Sequence, residues 1–251
     1  MFGKRKIAAL VAEFLGTGIL TLLVLSVQRS TIGVPFFVAL AAGLSLAVLY
    51  FALGNVSGAQ LNPAVTLALW TARKVDTLRA VTYIAVQLLG AWGGYWLYTY
   101  FANNTLQPIG GHFTARIMVA EAVGTFVFAF GWAAAYFQGF STAVRASVSG
   151  LSYVVGILAA SSAAIGLINP GVALGVRAWV WGTYVLGPVV GAIVAVNLYN
   201  LLFADTATEV ATATVAAPAV VKAKTVTAPA KKPAARKKAP AKRKTATRAR
   251  R

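Results

Sequence analysis

Along the first 204 positions, apolar residues gather into runs of about 20, separated by short clusters of Gly, Pro, Ser, Asn and charged residues. Such runs lie at roughly 7–27, 34–54, 79–101, 116–137, 144–164 and 180–203. Each matches the ~20 helical residues that cross a hydrocarbon core of ~30 Å. Two further apolar segments, from Leu61 to Thr71 and from Ile168 to Ala178, are too short to cross. Both carry Asn-Pro at their start, and both follow a small-residue approach: Ser57-Gly58-Ala59-Gln60 in one, Ser161 to Gly166 in the other. The pattern predicts an all-α membrane protein with six transmembrane helices and two re-entrant half-helices. The run from Ile7 to Val27 is long for a signal-peptide core and is read as an uncleaved first helix.

The chain also repeats itself. Ala12-Glu13-Phe14-Leu15-Gly16-Thr17 returns as Ala120-Glu121-Ala122-Val123-Gly124-Thr125, 108 residues on, and Asn62-Pro63 returns as Asn169-Pro170, 107 residues on. Each copy (about 7–101 and 116–203) holds an odd number of crossings, so the second lies upside down relative to the first. Interrupted apolar segments at matching places in an inverted repeat mark a binding or conduction site.

Charge sets the expected orientation. Lys4, Arg5, Lys6, Arg73, Lys74, Arg79 and Arg145 fall on one side, and only Arg29, Arg116 and Arg177 on the other. The positive-inside rule then places both termini in the cytoplasm. Of the net charge of +18, a surplus of 11 belongs to residues 205–251, which hold 13 Lys/Arg and two acids. Cysteine is absent and His112 is the single histidine, which leaves no thiolate centre and too few ligands for a side-chain metal site. No cofactor, metal or catalytic residue is expected.

Asn is a favoured helix N-cap, and Pro suits the first helical position because its missing N–H would have no partner there. Two such N-termini meeting near the bilayer midplane would each present about half a positive charge. The Asn62 and Asn169 amides could donate into a lumen, holding a lone-pair-bearing molecule while repelling cations. An ordinary Asn-Pro turn is the alternative for one copy, and the matched second copy argues against it.

At these residues the chain resembles the aquaporin (major intrinsic protein) family. Ser57 to Leu67 looks like the family's first signature, with Gln60 where His is usual, and Asn62-Pro63-Ala64 at its centre. Asn169-Pro170-Gly171 resembles the second, with Gly171 where Ala is usual. The Glu-x-x-Gly-Thr segments and Leu186-Gly187-Pro188 are also family-like, so the resemblance covers about residues 5–204. It implies a right-handed helix bundle, a homotetramer with one pore per subunit, and passive conduction of water or small neutral solutes such as glycerol. A secondary transporter, or a non-conducting membrane structural protein, are the alternatives.

The resemblance also locates a selectivity constriction. The family places an arginine directly after the second motif, where this chain has Val172. Ile157 stands where water-selective members have His, Ala42 where an aromatic is usual, and Gly166 at the adjoining loop position. The set is uncharged and is expected to be wider than a water filter. Arg177 lies five residues beyond Val172, about 7.5 Å along a helix, and suits the outer interface better. Glu13 and Glu121 are acids within apolar spans. They are either a proton relay or, as in the family, structural acceptors for the approach to each half-helix.

Residues 205–251 are built of Ala, Lys, Pro, Thr, Val and Arg without a periodic apolar face, and read as a disordered cytoplasmic tail beside a channel domain at 1–204. A solvated tail, binding to anionic lipid and binding to nucleic acid are the readings open to it, with lipid ahead of nucleic acid. An isolated 205–251 peptide should therefore bind anionic vesicles in a sedimentation assay and dissociate as salt is raised. Equal binding to neutral vesicles would exclude an electrostatic mechanism.

Overall fold

The structure, a computed structural model, describes residues 3–204, so the basic tail lies outside the described residues. The described chain is helical. Helix α1 spans Lys4–Gln28, α2 Pro35–Ser57, α3 Pro63–Thr71, α4 Thr77–Ala102, α5 Ala115–Phe137, α6 Thr142–Ala160, α7 Pro170–Gly175 and α8 Gly187–Leu202.

Local chemistry accounts for most of the boundaries. Pro35 opens α2, and Gly58 closes it in the left-handed region at φ 96°. Asp76 caps α4 by accepting from the Arg79 N–H at 2.9 Å, and Thr114 caps α5 by accepting from Ile117 N–H at 3.2 Å. The last span begins with a π-helical turn, Gly182–Leu186, immediately before Pro188. Proline offers no N–H to a carbonyl one turn back, and the wider turn absorbs that missing bond.

Five of the described helices are long and apolar enough to cross a membrane by length and composition. The sixth span, α4, is the longest at 26 residues but is diluted by Gln87, by glycines and by a cluster of Tyr and Trp. The half-helices α3 and α7 are short, as expected. The second stops at Gly175 rather than running on to Ala178, because Arg177 turns left-handed at φ 65°. That turn is tied to the outer connection: the Arg177 guanidinium donates to the Leu106 carbonyl, and its own carbonyl accepts from Ile109 N–H at 3.1 Å.

The inverted repeat is visible in the packing. Helix α1 packs on α2 and α4, as α5 packs on α6 and α8, while α2 and α6 meet between the halves. Gly43 of α2 and Gly150 of α6 face each other there. A Cβ on either would lie 2.5 Å from the other's carbonyl oxygen. Small residues at such crossings let two backbones approach where lipid offers no hydrophobic drive for association. Gly150→Leu should accordingly destabilise the protein by about 1–3 kcal/mol through overpacking, read as a lower Tm in detergent. Gly93→Leu, whose nearest neighbour is the Phe14 ring edge at 3.8 Å, should leave Tm close to the parent value.

Candidate functional site: two half-helices meeting in the membrane

The approach to each half-helix bends through backbone that L-residues rarely adopt. In the first half Gly58, Ala59 and Leu61 have φ of 96°, 43° and 46°; in the second, Gly166 and Ile168 have φ of 76° and 42°. A β-branched residue at positive φ is a true outlier, and each such residue costs on the order of 1–3 kcal/mol. Gly166 has a second reason to be glycine, since a Cβ there would sit 2.8 Å from the Ile157 carbonyl oxygen.

Buried carboxylates hold these bends. Glu13 accepts from Ser57 Oγ at 2.6 Å and Gln60 N–H at 3.0 Å on one oxygen, and from Leu61 N–H and Gln87 Nε2, both at 2.7 Å, on the other. Glu121 accepts from Gly166 N–H at 2.9 Å, Leu167 N–H at 3.0 Å and Ile168 N–H at 2.8 Å. Both carboxylates are fully buried and are placed against the approach backbone, which has no helix or sheet to bond to. The first half has extra support. Gln87 Nε2 also donates to Thr66 Oγ1 at 3.0 Å, and Thr66 Oγ1 donates to Gln60 Oε1 at 2.7 Å.

At the helix starts, Asn62 Oδ1 accepts from Ala64 N–H at 2.9 Å, and Asn169 Oδ1 accepts from Gly171 N–H at 2.9 Å and Val172 N–H at 3.3 Å. Pro63 and Pro170 occupy the first helical positions. The amide nitrogens do not both point free into a lumen, as the sequence suggested. Asn62 Nδ2 donates to the Ile168 carbonyl at 3.1 Å, and Asn169 Nδ2 donates to the Leu61 carbonyl at 2.9 Å. The left-handed turns at Leu61 and Ile168 aim those carbonyls across the junction. Each amide keeps one further N–H. Gly171 lies at the same junction, where a Cβ would be 3.4 Å from Pro63 Cδ.

The four residues expected at the constriction are buried: Ala42 is 0% exposed, Val172 1% and Ile157 2%, and Gly166 is buried in the loop beside Ile157. None carries a charge. Arg177 is half-buried and turned toward the outer connection, with its guanidinium 5.9 Å from the Tyr95 ring centroid. His112 is exposed in that connection.

Other residues at the site were not foreseen. Gln87 was detectable as an amide in an apolar span, yet its partners lie up to 74 residues away. Tyr153, one turn before Ile157, is 1% exposed, with its hydroxyl 3.5 Å from the Leu167 carbonyl and beside the Asn169 side chain. Nothing in its local sequence marks it.

Two half-helices joined tip to tip inside an inverted-repeat bundle are the architecture of a membrane channel. The family profile for the major intrinsic proteins matches residues 3–199. Aquaporin AqpM of Methanothermobacter marburgensis is 31% identical over 248 residues, covering 78% of this chain and 97% of the relative. Rat aquaporin-5 is 31% identical over 219 residues, covering 77% and 80%. The aquaglyceroporin of Plasmodium falciparum shares the fold, with a TM-score of 0.67 at 20% identity, over 81% of this chain and 99% of that one. The chain belongs to the major intrinsic protein family, and is a passive channel for water and small uncharged solutes.

The carboxylates supply a test of the site's construction. In Glu121→Gln, a new NH2 must face a backbone N–H, because every hydrogen-bond partner of Glu121 is a backbone donor. In Glu13→Gln one backbone N–H, of Gln60 or Leu61, also loses its acceptor, but the Ser57 hydroxyl or the Gln87 amide on that side can turn to accept from the new NH2. Glu121→Gln should therefore cost more, by about 1–3 kcal/mol, measured as the difference in Tm between the two variants in detergent.

Proposed function

We propose that this channel favours small, weakly polar uncharged solutes of glycerol size, and that its outer constriction is the uncharged set Ala42, Ile157, Gly166 and Val172. The observation that supports the reading is the burial of these four residues without a charged or aromatic side chain among them. Two are small, and two are aliphatic where a water filter of this family has hydrogen-bond donors. A permeating water would exchange its partners for methyl groups there, whereas a solute with carbon surface keeps favourable contacts. The paired half-helix starts at Asn62 and Asn169 remain as a barrier to cations. Solute moves down its gradient, and no residue acts as a catalyst.

The same reading assigns the protein to a cell membrane as a homotetramer, with both termini in the cytoplasm. The exposed apolar belt of α1, α2, α4 and α8, which includes Phe51, Leu89, Trp96 and Val194, supports contact with lipid or with neighbouring subunits. The basic tail then lies at the anionic inner leaflet, where each Lys or Arg near the surface contributes about 1 kcal/mol.

Stopped-flow light scattering on proteoliposomes tests this. The parent channel should pass glycerol well above empty vesicles. Val172→Arg should narrow the ring and reduce glycerol flux more than water flux, by about tenfold. A parent that passes water but excludes glycerol would show that other side chains close the pore.

A further inference from the structure

The opposite half of the pore, nearer the face where both termini lie, has a different chemistry. The repeat relates each outer position to an inner one at the same distance from its Asn. Ala42 lies 20 residues before Asn62, and Ser149 lies 20 before Asn169. Ile157 lies 12 before Asn169, and Tyr50 lies 12 before Asn62. The apolar pair of the outer ring thus corresponds to a hydroxyl and a phenol in the inner one. Both are buried, Ser149 at 0% exposure and Tyr50 at 4%.

Helices α5 and α6 run antiparallel, and the Phe128 and Tyr153 rings meet edge to face at 4.7 Å. One turn further toward the terminal face, the same register brings Trp132 of α5 level with Ser149 of α6. Trp132 Nε1 and Ser149 Oγ are both fully buried polar atoms with no hydrogen-bond partner in the protein. Buried donors and acceptors are normally paired, because leaving one unpaired costs ~1–3 kcal/mol. Of the five such atoms among the described residues, these two lie at one level on the packed helices α5 and α6, a place that a polar guest can satisfy. Trp132 stacks on Tyr136 at 5.3 Å, and one turn from Ser149 the Arg145 guanidinium lies beside the Tyr50 hydroxyl while its Nε donates to the Phe140 carbonyl at 2.7 Å.

We propose that solute is recognised at this inner ring, formed by Tyr50, Trp132, Arg145 and Ser149, and that its ligand is a small neutral polyol. Trp132 Nε1–H donates to one hydroxyl of the polyol, Ser149 Oγ pairs with the next, and the indole face covers the carbon backbone. Arg145 adds the fixed positive charge that the outer ring lacks, so cations are turned back at the terminal face. Tyr153 stands one turn from this ring toward the Asn pair, with its hydroxyl near the Leu167 carbonyl. The proposal rests on the channel passing such solutes at all, and places their recognition at the inner end rather than the outer one.

The test uses the full chain in proteoliposomes, with insertion and oligomeric state checked by cross-linking. Trp132→Phe keeps the ring and removes only the donor; Ser149→Ala removes only the hydroxyl. Each should lower the glycerol-to-water flux ratio by about fivefold. Arg145→Leu should raise sodium leak over the parent, read as a membrane potential that appears when a sodium gradient is imposed; an unchanged leak would remove Arg145 from the ring. An unchanged ratio in the Trp132→Phe/Ser149→Ala pair, with parental glycerol flux well above empty vesicles, would overturn the inner ring while leaving the channel reading intact. A parent with no flux above empty vesicles would overturn both.

Discussion

A buried carboxylate bonded to the backbone of an irregular loop is the interaction on which the pore depends. At mid-membrane depth the chain cannot leave N–H groups unpaired, and it cannot lie in a regular helix if two half-helices are to meet tip to tip. Glu13 and Glu121 resolve that conflict from α1 and α5, the first helix of each repeat, and they make left-handed Leu61 and Ile168 tolerable. Their cost of burial is offset by several short donors each. The acids for which the sequence left a proton relay open bond the backbone of the two loops.

Once the bends are held, the two halves interlock. Each asparagine caps its own half-helix with one atom and reaches the other half's loop with another, at 3.1 Å and 2.9 Å. The symmetry is nevertheless incomplete. Glu13 accepts from the Ser57 and Gln87 side chains as well as from backbone, whereas the Glu121 carboxylate accepts from backbone donors alone. The proposed pore is similarly lopsided, with aliphatic and small residues assigned to one end and phenol, indole, hydroxyl and guanidinium to the other. A repeat fixes where positions fall, and leaves each free to take a different side chain.

Run length, Asn-Pro caps and matched spacing are local properties, which is why the spans, the inverted repeat and both half-helix starts were legible in the sequence. The end of α7 was not, because it is set by Arg177 gripping a carbonyl 71 residues away. Nor was the crosswise use of the Asn amides, which follows from the left-handed turns at Leu61 and Ile168 rather than from residue type. Trp132 and Ser149 read as ordinary span residues until the register of two antiparallel helices set them at one level.

The crosswise bonds also bear on how the protein is made. During synthesis the first four helices emerge well before Ile168, the residue whose carbonyl completes the Asn62 amide. Glu13 can settle against its loop at that stage, since all its partners lie within residues 1–101. The tip of α3 cannot, and it waits in the bilayer with an amide and a carbonyl still seeking partners. The first repeat is therefore an unfinished half whose centre is sealed only after the second has been threaded in the opposite sense. A truncated product that lacks the second repeat therefore lacks both crosswise bonds that join the half-helix tips.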